Sequence, residues 1–118
     1  MKKKLKLIST EREIQSFLGE APLIAASIRI TNTCNFRCSH CYTNGGLVIK
    51  NELNTKEAKS IIDQLAELKT LYIFFTGGEP FLRKDIVEIL KYTSDKKIKI
   101  SISTNAQLIN RQILEKLK

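Results

Sequence analysis

The segment CNFRCSHC, residues 34–41, carries all three cysteines of the chain, Cys34, Cys38 and Cys41. Three thiolates on one short loop can satisfy three irons of a cuboidal cluster, leaving the fourth iron without a protein ligand and open to a small molecule. A zinc site of three cysteines plus His40 draws on the same residues. It is the weaker reading, because His40 directly precedes Cys41 and adjacent side chains rarely reach one tetrahedral ion together. Unligated thiols are the third reading. A second segment of interest is TGGEP, residues 76–80. Gly77 and Gly78 let the backbone approach a ligand closely and accept unusual dihedrals, Pro80 stiffens the exit, and exposed carbonyls together with Glu79 suit a positively charged amino group. The same residues also make an ordinary turn between a strand and a helix. A third segment, STNA at residues 103–106, offers the polar side chains of Ser103, Thr104 and Asn105.

The elements that must position these segments follow from hydrophobic spacing. LIAASIRIT (23–31), LYIFFT (71–76) and KIKISIST (97–104) read as strands. Between them lie helical patterns. Residues 54–69 place Ala58, Ile61, Ile62, Leu65 and Leu68 on one face, with Asn54 as N-cap and Glu57 completing a capping box. Residues 85–92 repeat the pattern with Ile86, Ile89 and Leu90, and Asn110 opens a last helix carrying Ile113, Leu114 and Leu117. Such alternation implies an α/β fold of parallel strands joined by right-handed crossover helices, with function collected in loops at the carboxyl ends of the strands. All three chemistry-bearing segments fall in such loops and are therefore expected to converge on one rim. Residues 1–20 are read as an N-terminal extension with a short strand and a helix capped by Thr10 and Glu13, ahead of a core at 21–118.

Composition limits the function classes. The 118 residues are 42% hydrophobic and 27% charged, which is a globular composition and at most one domain. No apolar run approaches the roughly 20 residues needed to span a bilayer. MKKKLKL lacks the apolar stretch and cleavage site of a secretory signal, so a cytoplasmic location is the default expectation. In that compartment a tight group of thiols points to metal or redox chemistry rather than to disulfides. The net charge of +8 raises nucleic acid as a partner, but the lysines are dispersed and no aromatic residues interleave with a basic stripe, which argues against it.

C-x3-C-x2-C after a first strand, followed in order by GGEP at the end of a second, resembles the radical S-adenosylmethionine (radical SAM) enzymes over about Ser27 to Asn105. The resemblance implies the first half of a six-unit (β/α) partial barrel. It makes Cys34, Cys38 and Cys41 ligands of a four-iron four-sulfur (4Fe-4S) cluster whose open iron is chelated by S-adenosyl-L-methionine, and it assigns Gly77, Gly78, Glu79 and Pro80 to the cosubstrate. His40 stands where the family usually carries an aromatic residue near the adenine. Members that modify peptides or tetrapyrroles are similar in having C-x-H-C followed by Tyr. Ser103 and Asn105 match the third-strand loop, although Ala106 stands where glycine is commoner. Arg29, on the first strand, is a weaker candidate for the substrate side of the rim.

The activity implied is reductive cleavage of S-adenosylmethionine to a 5'-deoxyadenosyl radical that modifies a peptide or tetrapyrrole; the partners implied are a peptide or small-molecule substrate and an electron donor such as ferredoxin or flavodoxin. Three strand-helix units are half the family core, so the chain alone is expected to lack a complete active site and to self-associate or pair with a missing C-terminal half through its third-strand edge. The competing class is a non-catalytic metal-binding or cluster-binding module that acts through a partner chain.

Overall fold

The computed structural model describes residues 23–47 and 49–118. The extension expected at 1–20, with its Thr10 and Glu13 cap, lies outside the described residues. Three parallel strands, β1 (Ala25–Thr31), β2 (Tyr72–Gly77) and β3 (Lys99–Ile102), form one sheet in the order β1-β2-β3. Helix α1 (Thr55–Glu67) connects β1 to β2, α2 (Ile86–Asp95) connects β2 to β3, and α3 (Arg111–Leu117) follows β3. This is the alternating parallel architecture expected from the sequence.

Side chains alternate across the sheet because successive Cβ atoms of a strand point to opposite faces. Ile28, Ile30, Ile73 and Phe75 point to the helical side, where they join Ala58 and Ile62 of α1 and Ile86, Ile89 and Leu90 of α2. Ile62, Ile73, Phe75 and Ile89 are completely buried. Each such side chain stabilises the fold by about 1.5–3 kcal/mol relative to exposure. The opposite face carries Ser27, Arg29, Tyr72, Phe74, Lys99 and Ser101, all exposed among the described residues.

Local chemistry sets the element ends. At α1 the capping box forms as expected: Asn54 Oδ1 accepts from the Glu57 N–H at 3.0 Å, and a Glu57 carboxylate oxygen accepts from the Asn54 N–H at 2.8 Å. Asn110 likewise caps α3, accepting from the Ile113 N–H at 2.9 Å. Leu68, read as part of the apolar face, is instead the C-cap of α1 and 57% exposed. Strand β3 is shorter than its alternating pattern, because Lys97 takes a left-handed φ of 61° just before it. Helix α2 runs past Tyr92 to Asp95, with Thr93 buried and its hydroxyl donating to the Ile89 carbonyl at 2.8 Å.

Candidate functional site

The rim at the carboxyl ends of the strands is built from three loops. Where β1 ends, its pairing with β2 shifts register between Arg29 and Thr31, and Thr31 lies opposite Gly77. The chain from Thr31 to Thr33 then runs beside the GGEP segment. Gly78 N–H donates to Thr31 O at 2.9 Å and Glu79 N–H donates to Thr33 O at 2.8 Å. A Cβ at Gly77 would meet Thr31 O at 2.1 Å, and one at Gly78 would meet Thr33 O at the same distance. Gly77 also holds a φ of 144°, a region that side-chain-bearing residues avoid. Both glycines are therefore required by the close approach of two backbones.

The cysteine loop folds over this junction. The Thr43 hydroxyl bonds to Gly77 O and to Cys41 Sγ, each at 3.4 Å, and the Tyr42 hydroxyl meets Thr76 Oγ1 at 3.2 Å. Arg29 donates to Thr43 O at 2.9 Å, so this first-strand arginine supports the loop from the exposed face of the sheet. At the base of the loop Glu52 receives the Thr31 hydroxyl at 2.9 Å and the Asn32 N–H at 2.6 Å. Cys34 and Cys41 are half-buried, Cys38 and His40 are exposed, and all three cysteines are free thiols.

The Cys41 thiol is lowered to about 7, mainly by the hydrogen bond from Thr43 and further by backbone N–H groups of Gly45, Thr43 and Asn44, with slight burial acting the other way. That favours the thiolate, the form that binds metal. Among the described residues no three Cys, His, Asp or Glu side chains converge on a point that would hold a single ion. A cuboidal cluster instead binds thiolates at separate corners. The donor set thus suits a cluster: three free thiols, one predisposed to ionise, on one loop.

The third loop is tied to the other two through Glu79. Its side chain is completely buried, and its carboxylate accepts from the Phe81 N–H at 3.0 Å, the Thr104 hydroxyl at 2.8 Å and the Asn105 N–H at 2.8 Å. Glu79 also caps a short 3-10 turn at Pro80–Leu82. Asn105 in turn donates through Nδ2 to Asn35 of the cysteine loop at 2.8 Å, and Asn35 donates to Gln107 at 2.7 Å. Ser103 is exposed and extends the β3 pairing through its N–H to Phe75 O at 2.9 Å. Ala106 adopts a φ of 63°, the left-handed conformation in which glycine is the unstrained choice.

The cysteine, GGEP and third-strand segments therefore meet, and Thr43, Asn35, Gln107 and Glu52 belong to the same constellation. The motifs did not single out those four. Their partners are backbone atoms or distant side chains; the Gly45-Gly46 pair, which falls outside the motifs, is the signal that could have pointed to a chain reversal after Cys41.

The radical SAM superfamily model matches residues 28–118. Fe-coproporphyrin III synthase from Methanosarcina barkeri is 43% identical over 90 residues, covering 75% of this chain and 23% of that protein. PqqA peptide cyclase from Bradyrhizobium diazoefficiens is 37% identical over 95 residues, covering 80% of this chain and 25% of that protein. Among solved structures, Streptococcus suis SuiB bound to the precursor peptide SuiA superposes with a TM-score of 0.73 at 28% identity, covering 90% of this chain and 25% of that one. The chain thus spans about a quarter of the length of these relatives.

Proposed function

This chain belongs to the radical SAM superfamily, and from that premise we propose that it forms the cluster-binding and methionine-binding part of an enzyme that modifies a peptide or a tetrapyrrole. The observation that carries the reading is the junction of the cysteine loop with the double-glycine segment, tied through Thr43 to both Cys41 and Gly77. When bound, a 4Fe-4S cluster supplies the electron that cleaves S-adenosylmethionine to methionine and a 5'-deoxyadenosyl radical.

The residues of the chain have separate tasks in this reading. Cys34, Cys38 and Cys41 hold the cluster, and Thr43, whose single hydroxyl proton goes either to Gly77 O or to Cys41 Sγ, favours the ionised Cys41 when it donates to the sulfur. Gly77 and Gly78 bring the end of β2 against the cysteine loop, so that backbone carbonyls there receive the amino group of the cosubstrate. Glu79 fixes the Ser103–Asn105 loop, which borders the same space. His40, exposed beside Cys41, is the residue this reading assigns to the adenine of the cosubstrate. Ferredoxin or flavodoxin is the class of reductant that this chemistry uses. The substrate class rests on the relatives, which include a PqqA peptide cyclase and an Fe-coproporphyrin III synthase. Among the described residues no helix is long and apolar enough to cross a membrane.

Anaerobic reconstitution tests the reading. We expect close to four irons and four sulfides per chain, lost on Cys34→Ala, Cys38→Ala or Cys41→Ala, and a paramagnetic resonance spectrum of the reduced cluster that changes on adding S-adenosylmethionine. Stoichiometric zinc without acid-labile sulfide refutes it.

A further inference from the structure

Within the cysteine loop the one cationic side chain, Arg37, turns back on the loop itself. Its Nη1 donates to Cys34 O and to Phe36 O, each at 2.9 Å, and its Nη2 donates to Gly46 O at 3.0 Å. One planar guanidinium thus joins the first cysteine, Cys34, to Gly46, the point nine residues beyond Arg37 where the chain returns toward β1. The return is fixed there by the Gly46 N–H, which donates to Asn32 O at 2.7 Å. Space for the guanidinium exists because residue 46 is glycine. A Cβ at that position would stand 2.2 Å from Nη1, and the φ of 128° also favours glycine.

We propose that Arg37 is a positioning residue that holds the cysteine loop closed in the metal-free chain and, by its fixed charge beside Cys34, raises the reduction potential of the cluster the loop carries. The proposal rests on the cluster-binding reading given above. The mechanical half follows from the hydrogen bonds: three carbonyls that would otherwise point into solvent from both ends of the loop share one rigid donor. The electrostatic half follows from sign. One-electron reduction adds a negative charge to a cluster ligated by thiolates, and a neighbouring cation favours the reduced form. Because Arg37 is exposed, this contribution is screened by salt.

The experiment compares the chain with its Arg37→Gln and Arg37→Lys variants. In the metal-free proteins, hydrogen exchange of the Gly46 amide reports loop closure. In the reconstituted proteins, a potentiometric titration with dithionite as the one-electron reductant reports the potential. For Arg37→Gln we expect Gly46 exchange at least tenfold faster. We also expect about a tenfold smaller ratio of reduced to oxidised cluster at a fixed potential, equivalent to about 59 mV for one electron, with the difference shrinking at 1 M salt. Arg37→Lys keeps the charge without the planar fork, so its exchange should rise while its potential stays near that of the parent. Unchanged Gly46 exchange, or an unchanged potential, in Arg37→Gln overturns the proposal. A parent protein that takes up no iron and sulfide, while its circular dichroism shows a folded chain, overturns the cluster reading itself and the electrostatic half with it. The exchange comparison still decides the mechanical half.

Discussion

Replacing Glu79 by glutamine tests whether its carboxylate serves as a strut between loops. Oε1 receives the Phe81 N–H and the Thr104 hydroxyl, and Oε2 receives the Asn105 N–H. A glutamine whose carbonyl occupies the Oε1 place keeps two of these three bonds but turns its amide NH2 toward the Asn105 N–H. A hydrogen bond to a charged group contributes about 1.5–3 kcal/mol, and a buried donor left without an acceptor costs about 1–3 kcal/mol. The neutral amide offsets part of this loss because it is cheaper to bury than a carboxylate. The net expectation is a destabilisation of about 2 kcal/mol, which at a urea slope of about 2 kcal/mol per M lowers the unfolding midpoint by about 1 M. Glu79→Ala strands all three donors and should cost about 4 kcal/mol or more. Thr104→Val removes one donor from the same network, so a double-mutant cycle with Glu79→Ala, which removes the acceptor, should return a coupling of about 1 kcal/mol. Urea titrations followed by circular dichroism provide the measurement. If Glu79→Gln leaves the midpoint unchanged while weakening the response to S-adenosylmethionine, the carboxylate serves the ligand and the strut reading is refuted.

Gly78→Ala should destabilise the chain by about 2 kcal/mol or more, because its Cβ would stand 2.1 Å from Thr33 O and only backbone movement can relieve that contact. A urea midpoint equal to that of the parent would contradict the geometry. Ala106→Gly should stabilise the chain by about 0.5–1 kcal/mol, since the left-handed φ of 63° costs alanine more than glycine loses in unfolded-state entropy. A lowered midpoint would count against that conformation. Burial pushes the Asp85 carboxyl up, but hydrogen bonds from Arg83 and Thr55 and the Arg83 charge together hold it below the usual value. The folded pKa is therefore below the unfolded one. Asp85 contributes stability that is full above the unfolded value of about 3.9 and fades as pH falls through the folded pKa. Asp85→Asn should flatten the decline in stability below about pH 4, and an undiminished slope would remove Asp85 from the explanation.

What could be read from the sequence was local. The Asn54 and Glu57 box lies within four residues, and the apolar face of α1 repeats at helical spacing, so Ala58 and Ile62 fall in the core as the pattern requires. The double glycine was legible in part: it signalled close approach to a ligand or an ordinary turn, whereas what the two residues approach is the backbone of Thr31 and Thr33. Strand β3 was overextended because alternation alone does not reveal that Lys97 turns left-handed. Glu79 was harder still. As a sequence letter it suits an exposed amino-group ligand, and its burial depends on Thr104 and Asn105, which arrive 25 and 26 residues later in the loop after β3. Arg37 was equally silent, since its partners are carbonyl oxygens that every residue carries.

These silent residues explain how a rim of loops stays in register with little apolar packing around it. Around the cysteine loop Phe36, Tyr42, Leu47 and Ile49 are all substantially exposed, so burial contributes little to fixing it. Directional bonds take that place. Thr43 joins the loop to β2, Asn35 joins it to the loop after β3, and Glu79 joins those two carboxyl ends to each other. Each tie crosses between segments contributed by different strand-helix units, so the positions of the three thiols depend on the sheet beneath them. A single polar substitution on the rim should therefore disturb cysteine geometry at a distance, whereas an equally exposed substitution on the outer face of α1 should not. Asn35→Ala, which cuts the tie to Asn105 and Gln107 without touching a thiol, is the cleanest example. It should leave the helices intact yet slow cluster uptake, as the loop must then find its closed form without the third strand to hold it.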